Sequence, residues 1–540
     1  MKSHAEIELK FLVPSGARAQ LTAEMARGAS TLERASLAAR YLDTEDRRLA
    51  RAGIAWRLRR EGRRWFQTLK AGGTNPVKRF EHEVIRTDAS HEAAAHAGTS
   101  VGERLLTLLR RANADGMEVD VRFQTEVRRT VRKVRTKGAV VEVAFDEGRL
   151  LAAGTTQRIR EIEFELISGS IASMMMLAER WRKRFGLIHD PRSKAERGDR
   201  LAGGSPFPAL RKGGRPIYPD DATAIEAFGA VLDECLAQIT HNAVGLAEGD
   251  PALQVEHVHQ LRVGIRRLRS ALRSFQGWVP TPPADLVDRL KSLFSTLGLS
   301  RDSDVLGSGV MAELAKVGAP PLKLPAANDS PDAVDTVKAD ETQETILAWI
   351  AWRAALTQEA DETTDTVVPD AQTEKARLAG NAEPADAASS DESDAAVGDG
   401  QAGSQATPSA HADAPTYHRK LQRRLRRWHG RIVADWNEFD MLDDLRLHAL
   451  RKRIKRQRYA VEFFAPVLRR RRVERYLEAL TAIQDRMGEL NDLFVARARH
   501  QAMSADPAAW FALGWLAARI AEVRALAKPE LGRLAKMEAP

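Results

Sequence analysis

Three short runs place carboxylates at every second residue: Glu6-Ile7-Glu8-Leu9-Lys10, Glu142-Val143-Ala144-Phe145-Asp146 and Glu161-Ile162-Glu163-Phe164-Glu165. In an extended chain this spacing puts Glu6, Glu8 and Lys10 on one face, Glu142 and Asp146 on a second, and Glu161, Glu163 and Glu165 on a third. Clustered carboxylates repel one another and need cations beside them. Cations arrive at the same spacing in Trp56-Arg57-Leu58-Arg59, Thr68-Leu69-Lys70 and Lys78-Arg79-Phe80-Glu81-His82-Glu83. Carboxylate oxygens suit hard cations such as Mg²⁺ or Mn²⁺, and guanidinium forks suit phosphate oxygens. A face carrying both fits a phosphate chain, where a metal-polarised or carboxylate-oriented water would attack phosphorus in line.

These residues must be held by strands. An open sheet would leave the charged face wet on one side. A closed barrel would turn it inward and hide the apolar faces under helices. Ile171 to Phe185, with Met174, Leu177 and Trp181, has the spacing of one amphipathic covering helix. The β-patterned region runs through residue 202, and prolines and glycines between Pro206 and Pro219 then interrupt any regular pattern. The expected organisation is a first domain at 1–202, a linker at 203–218 and a second domain at 219–540.

From Asp221 the apolar period becomes 3.6, as in Ile225-Phe228-Leu232-Leu236-Ile239. The second domain is therefore expected to be all-α, making the chain a multidomain α+β protein. Thr342 to Thr357 reads as a helix. Residues 361–416, rich in Ala, Asp, Ser, Gly, Thr and Pro, are expected to form a disordered acidic insert. They hold twelve acidic residues against Lys375 and Arg377, so the rest of the chain carries ten more positive charges than the formal +9 of the whole. A folded remainder that basic attracts polyanions.

A repeat spans the insert. His259 is followed by Arg262, Arg266, Arg267 and Arg269, and His448 by Arg451, Lys455, Arg456 and Arg458, at the same offsets. Steps of three and four residues align His259, Arg262, Arg266, Arg269 and Arg273 along one helix stripe, and His448, Arg451, Lys455 and Arg458 along another, with Glu462 in the place of Arg273. Such stripes call for an anionic partner.

Several classes are excluded. No apolar run approaches the roughly 20 residues of a membrane span. Met1 to Lys10 is charged where a signal peptide would be apolar, so a cytoplasmic location is expected. A lone Cys235 rules out an intramolecular disulfide or a thiolate zinc site. Aromatic residues are only 6 %, and the basic stripes are not interleaved with stacking residues, which disfavours nucleic acid as a partner.

The ordered set Glu6-x-Glu8-x-Lys10, Tyr41-x-Asp43-Thr44, Gly53-x-x-x-Arg57-x-Arg59, Thr68-x-Lys70, Glu161 to Glu165 and Ser193-Lys194-x-x-Arg197-Gly198 resembles the CYTH superfamily, the triphosphate tunnel metalloenzymes. The resemblance implies an eight-stranded antiparallel tunnel that hydrolyses triphosphates with Mg²⁺ or Mn²⁺. It implies metal-side carboxylates at Glu6, Glu8, Glu161, Glu163 and Glu165, with Glu6, Glu8, Lys10 and Asp146 in the reaction itself. Lys10, Arg57, Arg59, Lys70, Lys194 and one of Arg128 or Arg129, with Arg129 favoured, would bind the triphosphate. Glu81 and Glu83 match a more variable acidic strand. The His259 and His448 stripes, with Leu490-Asn491-Asp492, resemble the CHAD domain, which implies two pseudosymmetric four-helix units with a basic groove for polyphosphate. Together they imply an inorganic triphosphatase that converts tripolyphosphate to pyrophosphate and phosphate. Adenylate cyclase, thiamine or nucleoside triphosphatase activity on the same tunnel, and a non-catalytic polyphosphate or nucleic-acid binder, are the alternatives.

Overall fold

The computed structural model describes residues 2–28, 32–72, 77–308, 310–320, 331–365 and 414–540. Its first half winds strands β1 (Lys2–Leu12), β2 (Glu33–Thr44), β3 (Ile54–Glu61), β4 (Arg64–Gly72), β5 (Lys78–Arg86), β6 (Val119–Thr136), β7 (Ala139–Ala152) and β8 (Thr155–Gly169) into an antiparallel sheet of order β5-β4-β3-β2-β6-β7-β8-β1. Pairing of β1 with β5 closes the ring, so the charged faces turn inward around a barrel of eight strands. A two-residue strand, β9 (Ile188–His189), adds to the end of β1.

Helices α1 (Arg18–Ala26), α2 (Arg48–Arg51), α3 (Ser100–Ala114), α4 (Ile171–Phe185) and α5 (Lys194–Ala202) surround this barrel. Val101 and Leu105 of α3 cover Trp56, Leu58 and Leu69, while Met174, Ala178 and Trp181 of α4 cover Phe11, Val143 and Phe164. Each of the larger aliphatic and Phe side chains gains about 1.5–3 kcal/mol from leaving water. A one-residue slip would exchange this set for the charged one, so outer packing fixes which side chains face the lumen.

The second half is helical: α6 (Ala224–Glu248), α7 (Gln254–Ser274), α8 (Ala284–Ser308), α9 (Val310–Lys316), α10 (Ala333–Lys338), α11 (Asp340–Asp365), α12 (Ala414–Asn437), α13 (Asp444–Phe463), α14 (Arg470–Gln501) and α15 (Pro507–Ala535). Helices α6, α7, α8 and α11 pack in one ring and α12 to α15 in a second, and the two rings meet where α7 packs on α13. The helix expected at Thr342–Thr357 is longer at both ends. Residues 361–365 of the expected insert continue α11, and Ala414 already begins α12. Residues 366–413 lie outside the described residues. The halves are joined by Arg182 of α4, which donates to Asp340 at 2.8 Å, and by the His189 N–H, which donates to Gln343 at 2.9 Å. No helix among the described residues is long and apolar enough to cross a membrane.

Candidate active site

The barrel encloses a cavity of about 1270 Å³ lined by Glu6, Glu8, Lys10, Arg57, Arg59, Lys70, Glu81, Glu83, Arg129, Asp146, Glu163, Glu165 and Lys194. Register brings the strands' charges into opposition: Lys10 lies across from Glu163, Glu8 from Glu165 and Arg129 from Asp146. Arg128, on the other face of β6, has a side chain 73 % exposed and stays outside.

Two groups of charges share the lumen. In the first, Lys194, at the start of α5, donates to Asp146 at 2.7 Å, Glu161 at 2.5 Å and Glu163 at 2.9 Å. Arg129 donates to Asp146 and Glu163. Burial would lower the Lys194 and Arg129 pKa values, but the carboxylates around them raise both well above normal. For the carboxylates the balance is reversed. Burial would raise Glu163 and Asp146, but Lys194 and Arg129 hold both below the ordinary range.

Glu161 does not line the cavity. It is fully buried behind Lys194 and accepts from Arg197 at 2.7 Å. Asp146, Glu161 and Glu163 can each offer an oxygen within 4.8 Å of the others, a set of hard donors that suits Mg²⁺ or Mn²⁺, and the Lys194 ammonium is the cation now among them. Glu6, Glu8 and Glu165, also expected on the metal side, are not in this trio.

In the second group, Lys70 bridges Glu6, at 3.0 Å, and Glu81. Arg59 donates to Glu83 at 3.0 Å, and Arg57 donates to the Tyr41 hydroxyl at 3.3 Å. Burial and a hydrogen bond shared with Glu81 push Glu6 up to about 8. Burial would raise Glu8, but Arg79 against it pulls it down. Burial, with Glu142 nearby, pushes Glu165 up to about 7. Burial lowers Lys10, despite Glu161 and Asp190. Arg79 was not among the expected site residues, although its phase with Glu81 and Glu83 on β5 marks it.

Helix α5 is seated by local chemistry. The Ser193 side chain caps it by accepting from the Glu196 N–H, and Arg192 forks onto buried Asp190 just before it. Gly198 lies flat on Phe123, which stacks on Tyr41 at 4.4 Å between centroids; a Cβ at 198 would stand 2.1 Å from the Phe123 ring.

The second cationic surface forms where α7 meets α13. Lys455 feels Arg451 and Arg458 on its own helix, Arg266 on α7 and Asp492 on α14. Burial, reinforced by these arginines, pushes it down to about 7. Arg262, Arg266 and Arg269 stand over the Phe294 ring at 4.7, 5.6 and 5.7 Å, an aromatic support on α8 that the stripes alone did not reveal. His448 shares a hydrogen bond with Asn491 at 3.1 Å. Arg458 is committed to Gln484 and Glu462, and Arg273 is exposed at the end of its stripe beside Arg269. His259 is half-buried on α7.

A family model described as CYTH domain matches residues 4–198, and one described as CHAD domain matches residues 230–501. An inorganic triphosphatase from Haemophilus influenzae is 28 % identical over 198 residues, which are 36 % of this chain and 54 % of that protein, so the chain spans about half the length of this curated relative. Among solved structures, the CHAD domain of the plant Ricinus communis is 26 % identical, with a TM-score of 0.42 and coverage of 62 % of this chain and 98 % of that one. HpAC1 from Hippeastrum, a proposed adenylyl cyclase with a dominant triphosphatase activity, is 19 % identical, with a TM-score of 0.29 and coverage of 38 % and 98 %. With half of its length matched, the chain belongs to the CHAD domain family and carries a CYTH domain ahead of its helical half.

Proposed function

We propose that the tunnel hydrolyses inorganic tripolyphosphate to pyrophosphate and phosphate with Mg²⁺ or Mn²⁺, and that the helical domain binds polyphosphate. What carries this reading is one lumen onto which Glu6, Glu8 and Lys10 of β1, Arg57 and Arg59 of β3, Lys70 of β4, Glu81 and Glu83 of β5, Arg129 of β6, Asp146 of β7 and Glu163 and Glu165 of β8 all face. Arg57, Arg59, Lys70, Arg129, Lys194 and Lys10 would hold the phosphate oxygens and offset the charge that develops on the transferred phosphoryl group. Asp146, Glu161 and Glu163 would hold a divalent ion only with the Lys194 ammonium, now among them, turned to the phosphate, and the ion would supply Lewis acidity toward a phosphoryl oxygen or water. Glu6, kept neutral near neutral pH, would donate a hydrogen bond, and Glu8 would orient a water. On the helical half, Arg262, Arg266, Arg269, Arg273, His259, His448, Arg451, Lys455 and Arg458 would contact the polyanion.

The inorganic chain is favoured over an organic triphosphate because both halves offer cations, and in the cavity lining the Phe123 ring is already taken up by Tyr41 stacked on it and Gly198 of α5 packed against it. Phosphate release from tripolyphosphate, ATP and thiamine triphosphate, assayed in parallel with and without Mg²⁺ or Mn²⁺, tests it. Metal-dependent preference for tripolyphosphate supports the reading. Cyclic nucleotide from ATP, or metal-independent binding without turnover, overturns it.

A further inference from the structure

The connection between the halves, expected only as a spacer, is fastened to the helical domain by groups buried inside it. Asn242 of α6, fully buried, donates to the Arg211 carbonyl at 2.8 Å and accepts from the Arg211 N–H at 3.4 Å. Arg267 of α7 donates to the Gly214 carbonyl at 2.6 Å, and Glu234 of α6 accepts from the Gly214 N–H at 2.6 Å. Gly213 is required here, since a Cβ would stand 1.5 Å from the Arg267 guanidinium. The backbone of 211–214 is therefore set by α6 and α7, not by the barrel.

The opposite side of this strap borders the tunnel. Ala209, Leu210, Arg211 and Lys212, with His241 of α6, line the same cavity as the candidate catalytic groups, beside Pro191, Lys194 and Glu196. They lie at the end of the barrel where β1 finishes. The far end is bounded by Glu33, Glu61, Glu83, Glu142 and Glu165. The tunnel therefore differs at its two ends, with an acidic far mouth and a strap-side mouth where Arg47 and Arg122 are paired with Asp199 and the strap adds Arg211 and Lys212. Arg211 is already paired with Glu234 at 2.8 Å, and the His241 ring is 3.7 Å from Glu196. Lys212 is exposed and makes no ion pair among the described residues. The cavity, at about 1270 Å³, also exceeds the roughly 300–1,000 Å³ of an ordinary small-ligand pocket.

We propose that Lys212, supported by Arg211 and His241, forms an outer phosphate subsite at this mouth that takes the phosphate groups of a linear inorganic chain longer than three. The helical domain thereby sets chain-length preference through the strap it holds. The inference rests on the tunnel acting on inorganic phosphate chains. The acidic mouth would repel the free end of a long chain, and the Lys212 mouth would receive it.

Steady-state rates of the full chain on tripolyphosphate and tetrapolyphosphate test it in Lys212→Ala and Lys212→Glu, both exposed changes that leave the core untouched. The ratio of kcat/KM for tetrapolyphosphate over tripolyphosphate should fall about threefold in Lys212→Ala, the scale of one exposed charge contact, and further in Lys212→Glu. The loss should sit in KM for the longer chain and shrink at high salt. A second readout needs no turnover. Since Cys235 is buried, a dye attached through Ala209→Cys reports on the rim alone, and in EDTA it should respond more strongly to tetrapolyphosphate than to tripolyphosphate. An unchanged ratio in Lys212→Glu, or a dye that answers both chains equally, overturns the subsite. A wild-type protein inactive on both chains instead removes the triphosphatase reading beneath it.

Discussion

Arg129 grips Asp146 with two arms of its guanidinium, Nε to Oδ1 at 2.7 Å and Nη2 to Oδ2 at 2.6 Å, and the same Nη2 reaches Glu163 at 2.5 Å. One residue on β6 thus fixes carboxylates on β7 and β8. Lysine keeps the charge but cannot fork. Arg129→Lys should therefore lower kcat about tenfold to hundredfold, the range for loss of an orienting partner around a metal site. Arg129→Ala should cost about 3 kcal/mol by urea denaturation, because Asp146 is wholly buried and would lose half its compensation. Equal rates for arginine and lysine at 129 would refute the positioning role.

Glu6 and Glu8 stand two residues apart and titrate in opposite directions. The folded pKa of Glu6 is about 8 against an ordinary 4.5, so the folded state binds more protons than the unfolded one between these values. Its contribution to stability is present below about pH 4.5 and lost as pH rises toward 8. Glu8 is held below its ordinary value, so its contribution is present above that value and lost on acidification. In EDTA, Glu6→Gln should flatten the fall in stability between about pH 5 and 8, while Glu8→Gln should destabilise at neutral pH by leaving Arg79 unpaired. Urea midpoints across pH decide, and a Glu6→Gln profile parallel to wild type would contradict the assignment. If both variants also keep wild-type metal-dependent turnover, neither carboxylate takes part in the reaction.

Much of this arrangement was legible because a strand's period is two. Alternation alone put Arg57 and Arg59 opposite Trp56 and Leu58, and packing under α3 turned that difference into inside and outside. Spacing alone did not say that the sheet closes; this depended on β1 pairing with β5, a contact between segments some seventy residues apart. Local pattern was also silent on depth. Glu161 shares its phase with Glu163, yet lies behind Lys194 because α5 carries that lysine over it, a placement set by Gly198 against Phe123. In the helical half the two stripes were readable at steps of three and four, whereas Phe294 beneath three arginines comes from another helix at no fixed spacing.

Gly198 makes a steric prediction. With 2.1 Å between a Cβ there and the Phe123 ring, Gly198→Ala must push α5 outward and carry Lys194 with it. Overpacking of this kind costs about 1–3 kcal/mol. Thermal unfolding should fall accordingly, and KM for tripolyphosphate should rise as Lys194 leaves its three carboxylates. Phe123→Leu in the same chain should restore part of both. No rescue would mean that the ring does not set the helix position.

Lys455 gives the groove a pH dependence of its own. Burial and the surrounding arginines bring it down to about 7, with Asp492 the only opposing charge among its named neighbours, so above that pH the folded lysine is mostly neutral. The unfolded lysine still holds its proton there, so the unfolded state binds more protons and stability rises with pH from about 7 toward 10. A bound polyanion reverses the local field and favours the charged form, so binding must take up a proton in this window. Polyphosphate affinity of the full chain should therefore weaken between about pH 7 and 9, a range in which His448, lowered by burial, is already neutral. Calorimetry in buffers of different ionisation heat reads the proton uptake directly. Lys455→Arg keeps its charge throughout and should remove both the uptake and the pH slope. A slope retained in Lys455→Arg would place the titrating group elsewhere in the groove.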